Sequence, residues 1–399
     1  MQRQLALWRT HLPTVAPHYA VKCNDSPLLL RWVAEEQERA RGAAASSSSP
    51  SAAGGFDCAS LHEMRAAVGT GLVSAGDILY AHPCKPPTEI LGAQALGVQR
   101  TVVDSEEEVD KLADAGWRGS VLLRLRVPDG GSRQPFGKKF GAKPERAGDI
   151  LRAASRRGVR MEGVSFHVGS ECERPEQFDA ALAACRQVFD AAEAAGVRGL
   201  RTIDVGGGFL PDATHFAAAA SAIRGAQARL FPTGLAADGR PLQWLAEPGR
   251  FLAAPTHTLF VPVIGRKRGE DGAWCYTLDE SVYGAFSNVI MDGARPVFEV
   301  ALRRKARLQE PSVAQRCTLF GRTCDSADTL SETAVLPELH VGDSLRVANM
   351  GAYTRVTATE FNGFPLTQAI YVDDRAEEAA ERREAVEEEA NTQRLRMSA

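Results

Sequence analysis

Lys22, Asp57, His82, Arg124, His167, the run Gly206, Gly207 and Gly208, Glu247 and Arg250 each stand at or near the end of a short apolar stretch. Charged side chains in such places are costly to bury unless paired, so gathering them at one rim calls for a ligand or a polar network. A lysine amine condenses with an aldehyde, consecutive glycines let backbone N–H groups approach a phosphate, and an arginine adds charge to the same anion. Taken singly, the glycine run reads as readily as a tight turn, and Lys22 as an ion-paired surface residue. Taken together, a lysine, an acid, a histidine and a phosphate cradle point to pyridoxal phosphate, whose aldehyde a lysine holds as a Schiff base.

The elements that must position these residues follow from periodicity. In HYAVKCNDSP, alternation puts Tyr19, Val21 and Cys23 on one face and Ala20 and Lys22 on the other, predicting a strand with Lys22 near its C-terminal end. Asn24, Asp25 and Ser26 offer N-cap side chains and Pro27 suits a first helical turn. Further strand-like stretches, GGFDC, ILYAHP, RTVVD, VLLRLRV, GVSFHVG, LRTIDVGGG and LQWLAEPG, bring the total to about eight, the number a (β/α)₈ barrel requires. Helical patterns rich in Ala, Leu and Glu fill the gaps, with caps at Ser105 and Gly158. The reading is an α/β fold: a barrel over residues 1–252, with chemistry at the C-terminal ends of its strands.

Beyond Arg250 the pattern changes to THTLFVPVIGRKR, AWCYTLDESVYGAF, DSLRVANMGAYTRV and QAIYV, without long helices between them, which predicts a β domain over 253–374. AAASSSSPSAAGG, residues 43–55, reads as a flexible loop inserted between the first helix and second strand, and the charged stretch 375–399 as a solvated tail, disordered or helical.

Composition narrows the function. The 399 residues are 44% hydrophobic and carry a formal net charge of -3, enough for a large core and no footprint for nucleic acid or an anionic membrane. No run is long enough to span a bilayer, and MQRQLALWRTHLP lacks the apolar core of a secretory signal, so a cytoplasmic protein is expected. The 8 cysteines form no C-x-x-C pairs, and neither a disulfide framework nor a metal site is indicated.

HYAVKCNDS, GFDCAS, KKFGA, GVSFHVGSEC, IDVGGGF, EPGRF, ESVYGAFSNVIMDGARP, RTCDSADTL and MGAYTRVTATEFNGF, in this order over nearly the whole chain, resemble the ornithine decarboxylases of the eukaryotic type. The resemblance implies an alanine-racemase-like fold, a homodimer, and pyridoxal 5'-phosphate as cofactor. It matches Lys22 to the lysine that holds the cofactor, Glu247 to the carboxylate on its pyridine nitrogen and His167 to the histidine stacked on its ring. Asp57 and Arg124 match residues near the Schiff base and cofactor; Ser170, Gly207, Gly208, Arg250 and Tyr353 match phosphate contacts.

For the substrate, the resemblance matches Cys324 to a thiol that reaches across the dimer and reprotonates the α-carbon. Asp292, with Asp325 of the partner subunit, matches the carboxylates that hold the distal ammonium of L-ornithine, and Tyr283 falls in the same substrate region. An antizyme-type protein is a further partner the family implies.

Aspartate after Cys324 argues against a diaminopimelate decarboxylase, which should present glutamate there. Arginine or lysine decarboxylases remain, since one methylene gives only about 1–3 kcal/mol of discrimination. So does an inactive antizyme-inhibitor-like regulator, although Lys22, Glu247, His167 and Cys324 are all present. Met291 and Arg322 depart from the tyrosine and proline expected in the family. A family strand that joins the β domain ahead of the barrel is expected to be absent, leaving a sheet edge unpaired.

Overall fold

The computed structural model describes residues 1–46, 54–197, 199–302 and 313–372. Eight parallel strands close a barrel in the order β1-β10-β9-β7-β5-β4-β3-β2. These are β1 (Val15–Ala20), β2 (Gly55–Cys58), β3 (Ile78–Tyr80), β4 (Arg100–Val103), β5 (Ser120–Leu125), β7 (Arg160–Phe166), β9 (Thr202–Asp204) and β10 (Gln243–Ala246), with β6 (Ser132–Gln134) and β8 (Ser170–Cys172) forming a separate antiparallel pair. Strands covered on both faces are buried along their length, and every residue of β1, β2, β3 and β9 is.

The surrounding helices are α1 (Gln2–His11), α2 (Pro27–Ser46), α3 (Leu61–Val68), α4 (Pro87–Leu96), α5 (Glu106–Asp114), α6 (Ala147–Arg156), α7 (Glu176–Ala194) and α8 (Ala213–Leu230). Ser60, Ser105 and Asp212 cap α3, α5 and α8 by accepting from the N–H groups of Glu63, Glu108 and His215. Gly158, at φ 68°, ends the segment after α6 as its sequence position predicts.

The strand expected to carry Lys22 stops at Ala20, and Lys22 sits on a 3₁₀ turn, Val21–Cys23. Asn24 causes the difference. Its N–H closes the turn on the Val21 carbonyl, its Oδ1 accepts from Ser26, and its Nδ2 donates to Gly351 of the second domain at 2.9 Å. Helix α2 runs to Ser46 and β2 starts at Gly55, trimming the loop expected over 43–55 from both ends; residues 47–53 of that loop, and the 375–399 tail, lie outside the described residues.

A short helix, α9 (Arg250–Ala253), and a 3₁₀ turn, Ala254–Thr256, lead into a six-stranded sheet of order β13-β16-β11-β12-β14-β15. Its strands are β11 (Leu259–Arg268), β12 (Trp274–Leu278), β13 (Phe298–Leu302), β14 (Gln315–Phe320), β15 (Thr329–Leu336) and β16 (Ser344–Val347); α10 (Ser287–Met291) is its one α-helix among the described residues. The expected strand QAIYV does not form. There Tyr371 is held by its side chain instead, the hydroxyl against Ser26 Oγ at 2.6 Å and the ring edge-on to Trp32 and His257.

Helix α1 supports the start of α9. Trp8 packs edge-on to Phe209 at 5.1 Å and stacks on Phe216, which stacks on Phe251 at 4.1 Å, while Gln4 Nε2 donates to the Phe251 carbonyl at 2.8 Å. Buried aromatic clusters of this kind dominate local packing energy, so the backbone beside Arg250 is held firmly.

Candidate active site

Lys22 donates to Asp57, the residue paired with Ala20 across β1 and β2. Asp57 is fully buried, whereas the lysine side chain keeps 37% of its surface accessible, so the amine stands at the edge of the barrel interior. Burial alone would push its pKa down; the negative charges of Asp57 and Glu247 outweigh burial and hold it above the ordinary lysine value.

A cavity over the C-terminal ends of the strands is lined by Lys22, Phe136, His167, Ser170, Glu171, Gly208, Glu247, Arg250 and Tyr353, among others. His167 accepts from the Gly169 N–H through Nδ1 at 3.0 Å, and Phe136 meets its ring edge-on at 4.8 Å. Burial, then the positive charges of Arg124 and Lys22, push its pKa well down, so the ring is neutral near pH 7. Arg124 lies 4.8 Å over the Phe140 ring, which His82 meets edge-on.

Beneath the cavity lie three carboxyl groups. Glu247, at the C-terminal end of β10, is pushed well up by burial, then by the charges of Asp57 and Asp204. Asp204, at the end of β9, is pushed up to about 6 by burial, against a 2.9 Å hydrogen bond from the Gly206 N–H. Asp57 Oδ1 and Asp204 Oδ2 are buried with no partner. The site therefore gathers buried carboxyl groups beside the Lys22 cation and leaves two of their oxygen atoms without a partner.

Glycine is required in the cradle. A Cβ on Gly207 would lie 2.8 Å from the Glu247 carbonyl and 2.9 Å from His167 Nε2. On Gly208, at φ 101°, it would lie 2.5 Å from the Gly169 carbonyl. Beside this cradle Arg250 Nη2 donates to Ser170 Oγ at 3.2 Å and to Asp292, and its guanidinium lies 4.9 Å from the centre of the Tyr353 ring. Tyr353 arrives from the sheet domain.

The structure thus brings together Lys22, Asp57, His167, Ser170, Gly207, Gly208, Glu247, Arg250, Asp292 and Tyr353. Cys324, Asp325 and Tyr283 form a second cluster that does not line this cavity. Tyr283 donates to Asp325 and packs on Phe361 at 4.4 Å, and the Cys324 N–H donates to Asn362 Oδ1 at 3.1 Å with the thiol exposed.

Sequence reasoning missed Asp204, although a buried acid two residues before the glycine run was the available signal. It also missed Glu171, which sits at φ 54° on the β6–β8 pair; nothing in the local pattern marks that short pair. A larger cavity of about 740 Å³ opens at the opposite mouth of the barrel, lined by His18, Asp77, Arg100 and Trp244, and none of the expected site residues reaches it.

Residues 1–254 match the family model described as "Pyridoxal-dependent decarboxylase, pyridoxal binding domain". The chain belongs to the pyridoxal-dependent decarboxylases. It is 37% identical over 363 residues to a chloroplastic ornithine decarboxylase of Nicotiana glauca, spanning 90% of this chain and 78% of that one. A solved arginine decarboxylase of Paramecium bursaria Chlorella virus, bound to agmatine, superposes with a TM-score of 0.80 at 32% identity and covers 91% of this chain and 92% of its own. A lysine/ornithine decarboxylase of Vibrio vulnificus complexed with cadaverine gives 0.78 at 32% identity, covering 93% and 92%. This decarboxylase therefore has the alanine-racemase-like architecture, acts on basic amino acids and uses pyridoxal 5'-phosphate. Its residues fit that cofactor: an accessible amine, a neutral flat histidine, a glycine cradle beside an arginine, and a buried acid. Among the described residues, no helix is long and apolar enough to cross a membrane.

Proposed function

We propose that this decarboxylase converts L-ornithine to putrescine and CO₂ as a homodimer. The observation that carries the reading is a pair of aspartates that suits a distal ammonium: Asp292, buried against Arg250 of the cavity wall, and Asp325 in the outward-facing cluster beside Cys324. When bound, the cofactor supplies an aldehyde for the Lys22 amine and a ring that accepts electrons as CO₂ leaves.

The chain's own residues do the rest. Asp57 fixes the Lys22 amine at the strand ends. Glu247, at the bottom of the cavity, would pair with the ring nitrogen, with the buried Asp204 carboxyl as its neighbour. Neutral His167 offers a flat face without adding charge, and Arg124 lends positive charge nearby. Ser170, Gly207, Gly208, Arg250 and Tyr353 hold the phosphate.

Cys324 and Asp325 of one subunit complete the site of the other. The thiol returns a proton to the α-carbon in place of the lost carboxylate, and Asp325 shares the substrate's distal ammonium with Asp292. Tyr283, bonded to Asp325, sets the position of that carboxylate. Exposure of Cys324 supports this arrangement, because a proton donor that serves a partner must face outward.

Lysine is the second reading, favoured by Met291, a flexible, unbranched side chain next to Asp292 where the family is expected to carry tyrosine. CO₂ release from L-ornithine, L-lysine and L-arginine, measured on the wild type and Lys22→Ala with added cofactor, tests both. Ornithine-selective release lost in the variant is the expected result; equal release from lysine would replace the ornithine reading.

A further inference from the structure

Four charged residues form one continuous chain of ion pairs: Arg133 to Glu171, Glu171 to Arg250 at 3.7 Å, and Arg250 to Asp292. It crosses from β6 and β8 through α9 to the residue that follows α10. The side chains of Glu171, Arg250 and Asp292 are about one-tenth exposed, so these charges depend on one another rather than on water. Glu171 holds its place in the chain at φ 54°, a conformation that side chains rarely adopt.

Arg250 Nη2 is the junction. It carries two hydrogens, and both are engaged, one by Ser170 Oγ at 3.2 Å and one by Asp292. A phosphate seated against Ser170 meets Nη2, the arginine nitrogen that faces Ser170, and competes for these hydrogens. Ser170 can turn its own hydroxyl to donate to the phosphate, whereas the Asp292 carboxylate has no proton to offer and repels a second anion at that range. Asp292 is the partner that gives way.

We propose that phosphate and the substrate's distal ammonium are coupled through Arg250: an anion seated against Ser170 and Arg250 displaces Asp292, which turns to the ammonium, so each ligand strengthens the other's binding. Glu171, itself paired with Arg133, lies 3.7 Å from Arg250 Nε and leaves the guanidinium a second carboxylate while its first partner changes. The inference rests on the assignment of Arg250 to phosphate and Asp292 to the ammonium, and its test separates the two.

Inorganic phosphate is titrated calorimetrically into the full-length protein with and without saturating putrescine. Coupling predicts that putrescine tightens phosphate binding by about fivefold or more, and reciprocity requires the same factor for phosphate on putrescine. Asp292→Asn should bind phosphate about as tightly without putrescine as the wild type does with it.

A second measurement does not depend on putrescine. Asp292→Asn should tighten binding of pyridoxal phosphate, followed by absorbance, while leaving phosphate-free pyridoxal unchanged; a merely structural role would move both aldehydes together. Phosphate that binds with an affinity indifferent to putrescine, or that binds more weakly to Asp292→Asn, overturns the coupling and leaves the site assignment standing. Failure of the wild type to bind phosphate or either aldehyde overturns both.

Discussion

The backbone N–H of Tyr353 donates to the carbonyl of Cys23 at 2.9 Å, one residue beyond the amine of Lys22. The sheet domain is thereby joined to the turn that carries Lys22. Asn24 makes the second tie, donating to the Gly351 carbonyl at 2.9 Å while almost fully buried. Asn24→Ala leaves that carbonyl without its partner and should cost about 1–3 kcal/mol of stability. Because the same turn aims Lys22, the variant should also release the cofactor more readily. Urea unfolding and the loss of cofactor absorbance on dilution check the two effects.

Tight approach at the cradle sets a second expectation. Gly208→Ala places a methyl carbon 2.5 Å from the Gly169 carbonyl at a left-handed backbone angle, a strain of about 1–3 kcal/mol. The loss should appear mainly as weaker binding of pyridoxal phosphate, with pyridoxal affected less, since the proposed site gives the glycine run to the phosphate. Gly225→Ala, exposed on α8 with nothing within 4 Å of the added carbon, is the control and should be neutral or slightly stabilising.

The shared-site proposal gives a mixing experiment. Lys22→Ala and Cys324→Ala should each lose CO₂ release as pure homodimers. After mixing and subunit exchange, half of the dimers are mixed and each has one intact site, so activity should recover to about one quarter of the wild type. Recovery that stays at background would place both residues in a site formed within one chain.

The barrel and the residues at its rim were legible because both rest on local pattern: period-2 runs separated by capped helices, with charges at the ends of the runs. Cys324, Asp325 and Tyr283 were singled out only through motifs that resemble the ornithine decarboxylases; by local pattern alone Asp325 reads as an ordinary loop aspartate. What escaped the sequence depends on distant partners. Lys22 leaves its strand because Asn24 reaches Gly351 more than 300 residues away. QAIYV has the composition of a strand, yet contacts of Tyr371 with Ser26, Trp32 and His257 fix it otherwise. Asp204 and Glu171 stand in quoted motifs, but what makes them matter, burial beside Glu247 and an ion pair with Arg250, appears only when segments far apart in sequence are folded together.

Two buried groups at opposite ends of the barrel should bend the stability profile in opposite directions. Asp204 is raised from 3.8 to about 6, chiefly by burial, so the folded state holds its proton more tightly than the unfolded chain. Its contribution is fully present below pH 3.8 and is lost as pH rises through 6, about 3 kcal/mol in all. His18 is lowered from 6.5 to about 4 by burial, then by Arg100, so its contribution is fully present above pH 6.5 and is lost, by a similar amount, as pH falls through 4. In the wild type these slopes nearly cancel between pH 4 and 6.5, and single substitutions should expose them. Relative to the wild type, Asp204→Asn should gain stability as pH rises across that window, and His18→Gln should gain it as pH falls. Urea midpoints at half-unit pH steps check both, and parallel curves for wild type and variant would show that neither group changes its proton affinity on folding.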